Sequence, residues 1–358
     1  MIKAFLVGIS EYCIENTENL PYCKNDIFQL RKSLLKGLKA NEENITLIGC
    51  DNTVIFAYFD YMFDSFLSSL TEADTMIFYF SGHGTNGNIL LSDKEISINS
   101  IIERIQNSKS KSKIIILDCC HSGDFILDGV AQLSTDDSIA DFVGTGCTIM
   151  ASCTASQESG FHPKRNISLY TSFLCDAIED KFIIKNGKKS LEDINKLIRL
   201  YNKVWNERKG VRLQEPIFRT NMGGTVFFNV GEYEPYIMNN IIENTDEYII
   251  TAVKPMHTVS AKRYAVMVLL KHPCTYSMIA NTANEIICKA KYYEVYDNIN
   301  FEKYYQSKPA NIIWCYFGYD SEDMVNSNYY CHTTWVDNTQ DKSYWYNENN
   351  NSILINAQ

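Results

Sequence analysis

The sequence predicts an α/β protein with a mostly parallel sheet, followed by a second domain of different composition. In the first 230 residues, apolar runs of strand length alternate with segments whose apolar residues have helical spacing. This alternation is typical of right-handed βαβ units, which build a parallel sheet with helices on both faces. Residues 231–358, by contrast, contain 16 of the 23 tyrosines and three of the four tryptophans.

The predicted elements of the first domain follow the chain in a regular order. We predict strands at 4–9, 45–50, 75–80, 113–117, 147–151 and 225–230. We predict helices at 25–38, 54–70, 97–106, 168–180 and 190–207. Short polar segments come directly after the third and fourth strands. Ligands of parallel sheets bind beyond the carboxyl ends of the strands, so we expect the functional site at this edge.

The second domain, residues 231–358, is expected to be mixed α/β or rich in β-strands. Gly231 and Pro235 mark its boundary with the first domain, residues 1–230. We predict strands at 248–253, 263–270, 311–319, 329–336 and 342–346, and a helix at 279–290. The aromatic residues form either the packing between sheets or a recognition surface, and both interpretations stay open.

Composition and charge exclude several classes of protein. Hydrophobic residues make up 45% of the chain and charged residues 21%, which excludes a disordered or collagen-like chain. No stretch approaches the ~20 consecutive apolar residues of a transmembrane helix. The net charge of −10 argues against nucleic acid or an anionic membrane as the main partner.

The N-terminal residues and the cysteines indicate a reducing compartment. The first residues lack the zones of a secretory signal, so we expect a cytoplasmic protein. None of the 12 cysteines has Cys-x-x-Cys spacing, which argues against zinc-ribbon and redox sites. Four cysteines in apolar segments are expected to pack in the core as free thiols: Cys50, Cys147, Cys175 and Cys288.

Two polar loops at the predicted strand ends carry the sharpest functional signal. Residues Ser81–Gly84 have the sequence Ser-Gly-His-Gly, and Asp118–Gly123 have the sequence Asp-Cys-Cys-His-Ser-Gly. A cysteine nucleophile acts as its thiolate, and a nearby imidazole can take the thiol proton and later protonate a leaving amine. The backbone N–H groups of Gly84 and Cys120 can stabilise the developing oxyanion. The loops therefore offer a nucleophile, a base and oxyanion donors.

The order and spacing of these loops resemble the caspase-like cysteine peptidases of family C14 in clan CD, and more closely the metacaspase and bacterial caspase-like branch. The resemblance covers roughly residues 1–230 and includes four further segments: the first strand at 5–10, 23–26, 151–157 and 170–173. It implies a caspase-like fold and a cysteine endopeptidase that works through a thioester acyl-enzyme. It also implies that Cys120 is the nucleophile, His83 the base and Gly84 an oxyanion donor. The resemblance does not extend to residues 231–358.

The same resemblance implies a substrate pocket lined by Cys23, Asp26, Ser81 and Asp118. Two carboxylates in a concave pocket favour a cationic side chain, and an arginine can engage a carboxylate with two hydrogen bonds. We therefore predict cleavage after Arg or Lys and not after Asp. Two alternatives stay open: Asp26 as an acid that stabilises the dipole of its helix, and Asp118 as a side chain that closes its loop by a hydrogen bond.

We expect that no cofactor is required, and calcium activation stays open. Metacaspases are often activated by calcium, for which Asp93, Asp124 and Asp128 are candidate acidic residues. Calcium takes about six to eight oxygen ligands, which the sequence does not assemble, so we assign no metal site.

Self-cleavage is restricted by the distribution of basic residues. No Lys or Arg occurs between His121 and Pro163, so an enzyme specific for basic residues cannot cut itself there. The chain then works uncut or is cut later. Three basic pairs are candidates, at 164–165, 188–189 and 208–209, and we expect them in loops.

Other classes of protein fit these loops less well. A cysteine phosphatase needs an arginine after its cysteine to hold phosphate, and this chain has Ile126 at that place. A zinc site of His83, Cys119, Cys120 and His121 would use adjacent residues, whereas structural zinc sites use spaced pairs. The main alternative is a caspase-fold binding or scaffold protein whose C-terminal domain does the main work.

The second domain is predicted to sense a signal or to select a protein substrate. Its partner would be a regulatory protein or ligand, while the first domain acts on protein substrates with an exposed Arg or Lys. By analogy with bacterial caspase-like peptidases, we expect a role in regulated cell death or defence.

Overall fold

The computed structural model describes most of the chain, and the described part forms two compact units. These units are Met1–Tyr233 and Glu234–Gln358. The described residues are 1–85, 87–119, 147–152, 160–209, 215–222, 224–233, 243–320, 324–344 and 354–357. Among them, no helix combines the length and the apolar character that crossing a membrane requires.

The first unit alternates strands and helices along the chain. Its strands are β1 (Ile2–Gly8), β2 (Ile45–Ile48), β3 (Thr75–Ser81), β4 (Gly84–Thr85), β5 (Asn88–Leu90), β6 (Glu95–Ser97), β7 (Ser112–Asp118), β8 (Cys147–Ala151), β9 (Phe161–His162), β10 (Ile167–Ser168), β11 (Lys188–Ser190), β12 (Ile217–Thr220) and β13 (Phe227–Asn229). Its helices are α1 (Cys23–Gly37), α2 (Phe56–Ser68), α3 (Ile98–Gln106), α4 (Leu169–Glu179) and α5 (Leu191–Lys209), and a short 3-10 helix spans Glu42–Asn44.

Six of these strands form the central sheet, in the spatial order β12-β8-β7-β3-β1-β2. β12 is antiparallel to β8, and the other four pairings are parallel. The predicted mostly parallel sheet is therefore confirmed. The strand predicted at 225–230 is β13, and it pairs with β11 in a separate small sheet. Strands of two or three residues, such as β4 and β9, are too short to show a hydrophobic period, and they were not predicted.

Apolar side chains cover the central sheet on both faces, because successive residues of a strand point to opposite sides. From β1, Phe5 and Val7 belong to the core that includes α2 and α3. Ala4 and Leu6 belong to the core that includes α1, α4 and α5. A sheet buried on both faces explains why the predicted strands are continuous apolar runs rather than alternating ones.

In the described residues, the second unit contains a six-stranded mixed sheet, with helices packed in the same unit. In spatial order its strands are β14 (Glu243–Asn244), β15 (Tyr248–Pro255), β16 (Arg263–Leu270), β17 (Ile312–Gly318), β18 (Cys331–Val336) and β19 (Leu354–Ala357). Helices α6 (Tyr276–Ala290) and α7 (Ile299–Tyr305) lie between β16 and β17 in the chain. That pair is parallel and the other pairings are antiparallel, so the predicted mixed α/β character is confirmed.

Three local predictions are wrong. Residues Lys342–Tyr344, predicted to be in a strand, form a 3-10 helix. Cys50 and Cys288 are exposed, whereas Cys147 and Cys175 are buried as predicted. An apolar neighbourhood in the sequence does not bury every residue in it, because adjacent residues of a helix or turn face different directions.

Candidate active site

The two predicted loops begin side by side at the carboxyl ends of neighbouring strands. In the parallel pairing of β3 with β7, Ser81 lies opposite Asp118. The N–H of Gly82 donates to the carbonyl of Asp118 at 3.4 Å. His83 follows Ser81 by two residues, and Cys120 follows Asp118 by the same number. Cys120 itself lies outside the described residues.

Cys119, the first cysteine of the second loop, is buried in the core on the α2 and α3 side of the sheet. Its carbonyl accepts a hydrogen bond from the hydroxyl of Ser152 at 3.4 Å. This contact ties the start of the loop to the residue that follows β8. Cys119 therefore occupies the position of a small core residue.

The segment after β1 holds the imidazole of His83 in one tautomer and one orientation. Its Nε2 lies 2.8 Å from the carbonyl of Glu18, which can only accept, so Nε2 carries the proton. In this tautomer Nδ1 is the proton acceptor. The hydroxyl of Tyr12 accepts the His83 N–H at 2.8 Å and donates to the carbonyl of Ile9 at 3.2 Å. The ring centroids of Tyr12 and His83 are 4.9 Å apart.

The N–H of Gly84 points away from the neighbouring strand. Leu90 donates its N–H to the carbonyl of His83 at 3.0 Å. Gly84 lies opposite Ile89 in the antiparallel pair of β4 and β5. Because the hydrogen bonds of antiparallel strands alternate between residue pairs, the Gly84–Ile89 pair exchanges none. The Gly84 N–H therefore has no hydrogen-bond partner on β5.

Asp26 is a fully buried carboxyl group in the first turn of α1. Its Oδ2 accepts from the hydroxyls of Ser81 and Ser168, each at 2.6 Å, and its Oδ1 accepts the Ser168 N–H at 2.7 Å. Burial first, and then the charge of Asp118, raise the pKa of Asp26 to about 8, although its hydrogen bonds oppose the rise. A solvated aspartate has a pKa of about 3.9. Asp26 is thus placed to hold either a proton or a cation.

Asp118 lies at the end of β7, opposite Ser81, and is also buried. Thr171 of α4 donates its hydroxyl to Asp118 Oδ2 at 2.6 Å and its N–H at 3.2 Å. The hydroxyl of Tyr79 lies 2.5 Å from that of Thr171. Burial, and then the charges of Asp26 and Asp118, raise the pKa of Tyr79 well above its usual value. The charges of both carboxyl groups therefore act on the same buried side chain, that of Tyr79.

The structure brings the predicted pocket residues to one place. Asp26 contacts Ser81 directly, Ser81 lies beside Asp118, and Cys23 is buried one helical turn before Asp26. Asp26 does lie at a helix start, as the first alternative supposed, but its oxygens bond partners outside α1. Asp118 likewise bonds a residue of another element, Thr171, as well as lying at a loop start.

Three residues of the site carried no specific sequence signal: Tyr12, Ser168 and Thr171. Thr171 falls in the segment 170–173 that supports the family resemblance, but its contact with Asp118 spans 53 residues of sequence. Hydroxyl groups are common at turns and helix starts, so their presence alone does not reveal a distant partner.

Of the three candidate calcium residues, Asp93 alone lies in the described part of the chain. Asp93 accepts the N–H of Phe56 at 2.8 Å, at the start of α2. Asp124 and Asp128 lie outside the described residues. Within the described ranges, no group of three or more His, Cys, Asp or Glu residues is placed to hold a metal ion.

The prediction that the three basic pairs lie in loops is wrong for two of them. Lys188 and Lys189 belong to β11, where the buried Lys189 amine donates to the carbonyl of Ile178 at 2.5 Å. The pair at 208–209 ends helix α5. The pair at 164–165 does lie in the exposed turn between β9 and β10, and Arg165 bonds Asp176 from there at 2.8 Å.

A family model and several solved structures are similar to this chain. The C14 peptidase family model, described as the caspase domain, matches residues 1–226. Caspase-1 from Spodoptera frugiperda is similar in structure at a TM-score of 0.49 and 14% identity, over 65% of this chain and 91% of that chain. A structure of pro-sf-caspase-1 is similar at 0.45 and 12%, over 63% and 88%. No curated protein matches significantly. Because the family model covers more than half of the sequence, the chain belongs to the caspase-domain family of C14 cysteine peptidases.

Proposed function

We propose that this protein is a cysteine endopeptidase that cuts protein substrates after Arg or Lys, with Cys120 and His83 as its catalytic dyad. The observation that carries the proposal is the buried pair of carboxyl groups, Asp26 and Asp118. Asp118 comes two residues before Cys120, and Ser81, which bonds Asp26, comes two residues before His83. The acidic pocket thus adjoins the starts of both catalytic loops.

In the first half of the reaction, Nδ1 of His83 takes the thiol proton of Cys120. The thiolate attacks the scissile carbonyl carbon, and a carbon–sulfur bond forms. His83 then gives the proton to the departing amine as the carbon–nitrogen bond breaks, which leaves a thioester. In the second half, His83 takes a proton from water as the water oxygen bonds the thioester carbon. The carbon–sulfur bond then breaks to release the carboxylic acid, and His83 returns the proton to the thiolate. The Glu18 carbonyl supports the imidazolium through Nε2–H in both halves.

The oxyanion of each tetrahedral intermediate needs donors that are in place before the reaction. The N–H of Gly84 supports this role, since the pairing of β4 with β5 leaves it without a strand partner. The N–H of Cys120 is the second proposed donor.

A basic side chain suits the pocket because it restores the balance of charge. Its cation replaces the proton that burial and Asp118 favour on Asp26, so that both carboxyl groups are ionised and paired. An aspartate side chain would add a third carboxyl group and gain no ion pair from these two. The hydroxyls of Ser81, Ser168 and Thr171 already orient the carboxyl oxygens.

A set of fluorogenic peptides that differ only in having Arg, Lys or Asp at the cleaved position tests this proposal, with and without calcium. We expect the wild type to cleave the Arg and Lys peptides and Cys120→Ala to be inactive. Asp26→Asn should lose at least about 30-fold in kcat/KM, since removing one partner of a buried charge pair costs about 2 kcal/mol or more. Asp64→Asn, on the exposed side of α2, is the matched control.

Two results would contradict the proposal in different ways. Cleavage after Asp would keep the peptidase and overturn the assignment of the pocket. No cysteine-dependent cleavage of any peptide would favour the scaffold alternative and would direct attention to the second unit.

A further inference from the structure

Two aromatic side chains lie beside the acidic pocket. Tyr22 comes directly before α1, and its carbonyl accepts the N–H of Asp26 at 3.1 Å. Phe161 belongs to β9, and its ring is stacked with that of Tyr22, with the centroids 5.7 Å apart and the planes 17° apart. The side chain of Asn25 donates to the carbonyl of Asn166 at 3.0 Å, which ties the β9–β10 turn to the start of α1.

The pairing of β9 with β10 sets the direction in which Phe161 projects. Phe161 lies directly opposite Ser168. Residues directly opposite each other in an antiparallel pair project to the same face. The hydroxyl of Ser168 bonds Asp26 on that face at 2.6 Å. Phe161 therefore projects to the Asp26 side of the hairpin, but it is 58% exposed whereas Asp26 is fully buried.

We propose that Tyr22 and Phe161, the aromatic rim, form the mouth of the acidic pocket and pack against the aliphatic part of the entering Arg or Lys. This inference rests on the proposed function. A basic side chain that reaches the buried Asp26 must carry its methylene groups past the exposed edge of the pocket. Long basic side chains bury their methylene groups on apolar surface while the charge lies elsewhere. The carboxyl groups select the charge, and the aromatic rim selects the length of apolar chain that precedes it.

The chain supplies a closely matched control for Phe161. Phe227 of β13 is 57% exposed and lies directly opposite a serine, Ser190, in a short antiparallel pair. Ser190 bonds the N–H of Asp193 at 3.0 Å, not a carboxyl group of the pocket. Truncating Phe227 therefore removes the same ring at the same exposure without touching the rim.

Two alkylguanidinium ions distinguish the contribution of the aromatic rim to binding from that of the acidic pocket. Methylguanidinium carries the cation almost alone, and butylguanidinium adds a methylene chain. Calorimetry on the full chain should show that the wild type binds butylguanidinium more tightly. Phe161→Ala should reduce the ratio of the two affinities about tenfold, since each buried methylene group contributes about fourfold in affinity. Phe227→Ala should leave the difference unchanged, and Asp26→Asn should weaken the binding of both ions.

Peptide cleavage gives a second measurement. Phe161→Ala should raise KM for the Arg peptide about tenfold and leave kcat within about twofold, because the rim contacts the side chain and not the scissile bond. Phe161→Leu, which keeps an apolar surface, should recover most of the loss. Thermal unfolding should confirm that the variants fold.

The possible failures are distinguishable. If Phe161→Ala keeps the wild-type difference between the two ions while Asp26→Asn weakens both, the aromatic rim is overturned and the proposed function stands. If the wild type binds neither ion and cleaves no basic peptide, the proposed function fails and the inference fails with it.

Discussion

At the scale of single residues, the negative charge that we propose for Asp26 makes folding less favourable as the pH rises. Its carboxyl group has a pKa of about 8 in the folded chain, against about 3.9 in an unfolded one. Between these values the folded state holds a proton that the unfolded state has released. The contribution of Asp26 to stability is therefore fully present below about pH 4 and is lost as the pH rises through about 8.

Asp26→Asn should remove this dependence on pH. The amide has nearly the shape of the carboxylic acid, and the hydroxyls of Ser81 and Ser168 can turn to accept from it. The free energy of unfolding of the variant, relative to wild type, should therefore rise steadily between pH 5 and 8. Urea unfolding at several pH values measures it, with Asp64→Asn as the control. A constant difference across this range would show that the pKa of Asp26 is not raised.

Single residues also show how far sequence reasoning reaches the site. The family resemblance implies that Asp26 and Ser81 line one pocket, and the structure joins them by a hydrogen bond, although Asp26 lies in α1 and only Ser81 ends a strand. Tyr12 was not predicted to contact His83, since it lies in an irregular segment with no period to place it. Cys120 stays a prediction as the nucleophile.

At the scale of elements, the proposed pocket depends on how closely α1 approaches α4. A Cβ atom at Gly37 of α1 would lie 2.3 Å from the carbonyl oxygen of Ile178 in α4 and 2.7 Å from its carbon. These are backbone atoms, which cannot rotate away as a side chain can. Asp26 lies on α1 and Thr171 on α4, so this close contact also helps to set the distance across the pocket.

Gly37→Ala should therefore destabilise the protein by about 1–3 kcal/mol, the usual range for overfilling a packed contact. At an open position the same substitution changes stability little or improves it, because alanine loses less conformational entropy on folding than glycine. Gly224→Ala is the control, because a Cβ there would meet no described atom within 4 Å. Urea unfolding of the two variants beside wild type measures the difference. Equal stability of all three would show that the helices can separate slightly without loss.

The elements that could be predicted are those with a long apolar pattern. β7 and β8 are buried on both faces and were found as continuous apolar runs. The β9–β10 hairpin has two residues in each strand, and its place beside Asp26 depends on Ser168 and Asn166 rather than on any pattern. Short elements held by side-chain contacts are thus the part of the site that sequence periodicity misses.

At the scale of the whole molecule, the proposed catalytic motifs and the aromatic C-terminal residues belong to different compact units. The first unit has cores on both faces of its sheet, and the second has a core of its own around α6. We propose that the second unit senses a signal or selects the protein substrate. Among its described aromatic residues, Tyr248, Tyr264 and Phe317 are fully buried in the core, whereas Tyr292 and Tyr304 are exposed, so core packing accounts for only part of the aromatic enrichment.

A chain that ends at Tyr233 should therefore keep the cleavage of short Arg peptides, because the proposed dyad and pocket lie wholly before that residue. Its response to the natural signal, or its choice among protein substrates, should change, since these depend on the missing unit. Peptide kinetics beside cleavage of proteins in a cell extract would separate the two effects, with Cys120→Ala in both lengths as the control. If the shortened chain is insoluble, the two units share stabilising contacts and the proposed division of labour is wrong. If it cleaves peptides and proteins as the full chain does, the second unit takes no part in regulation or selection.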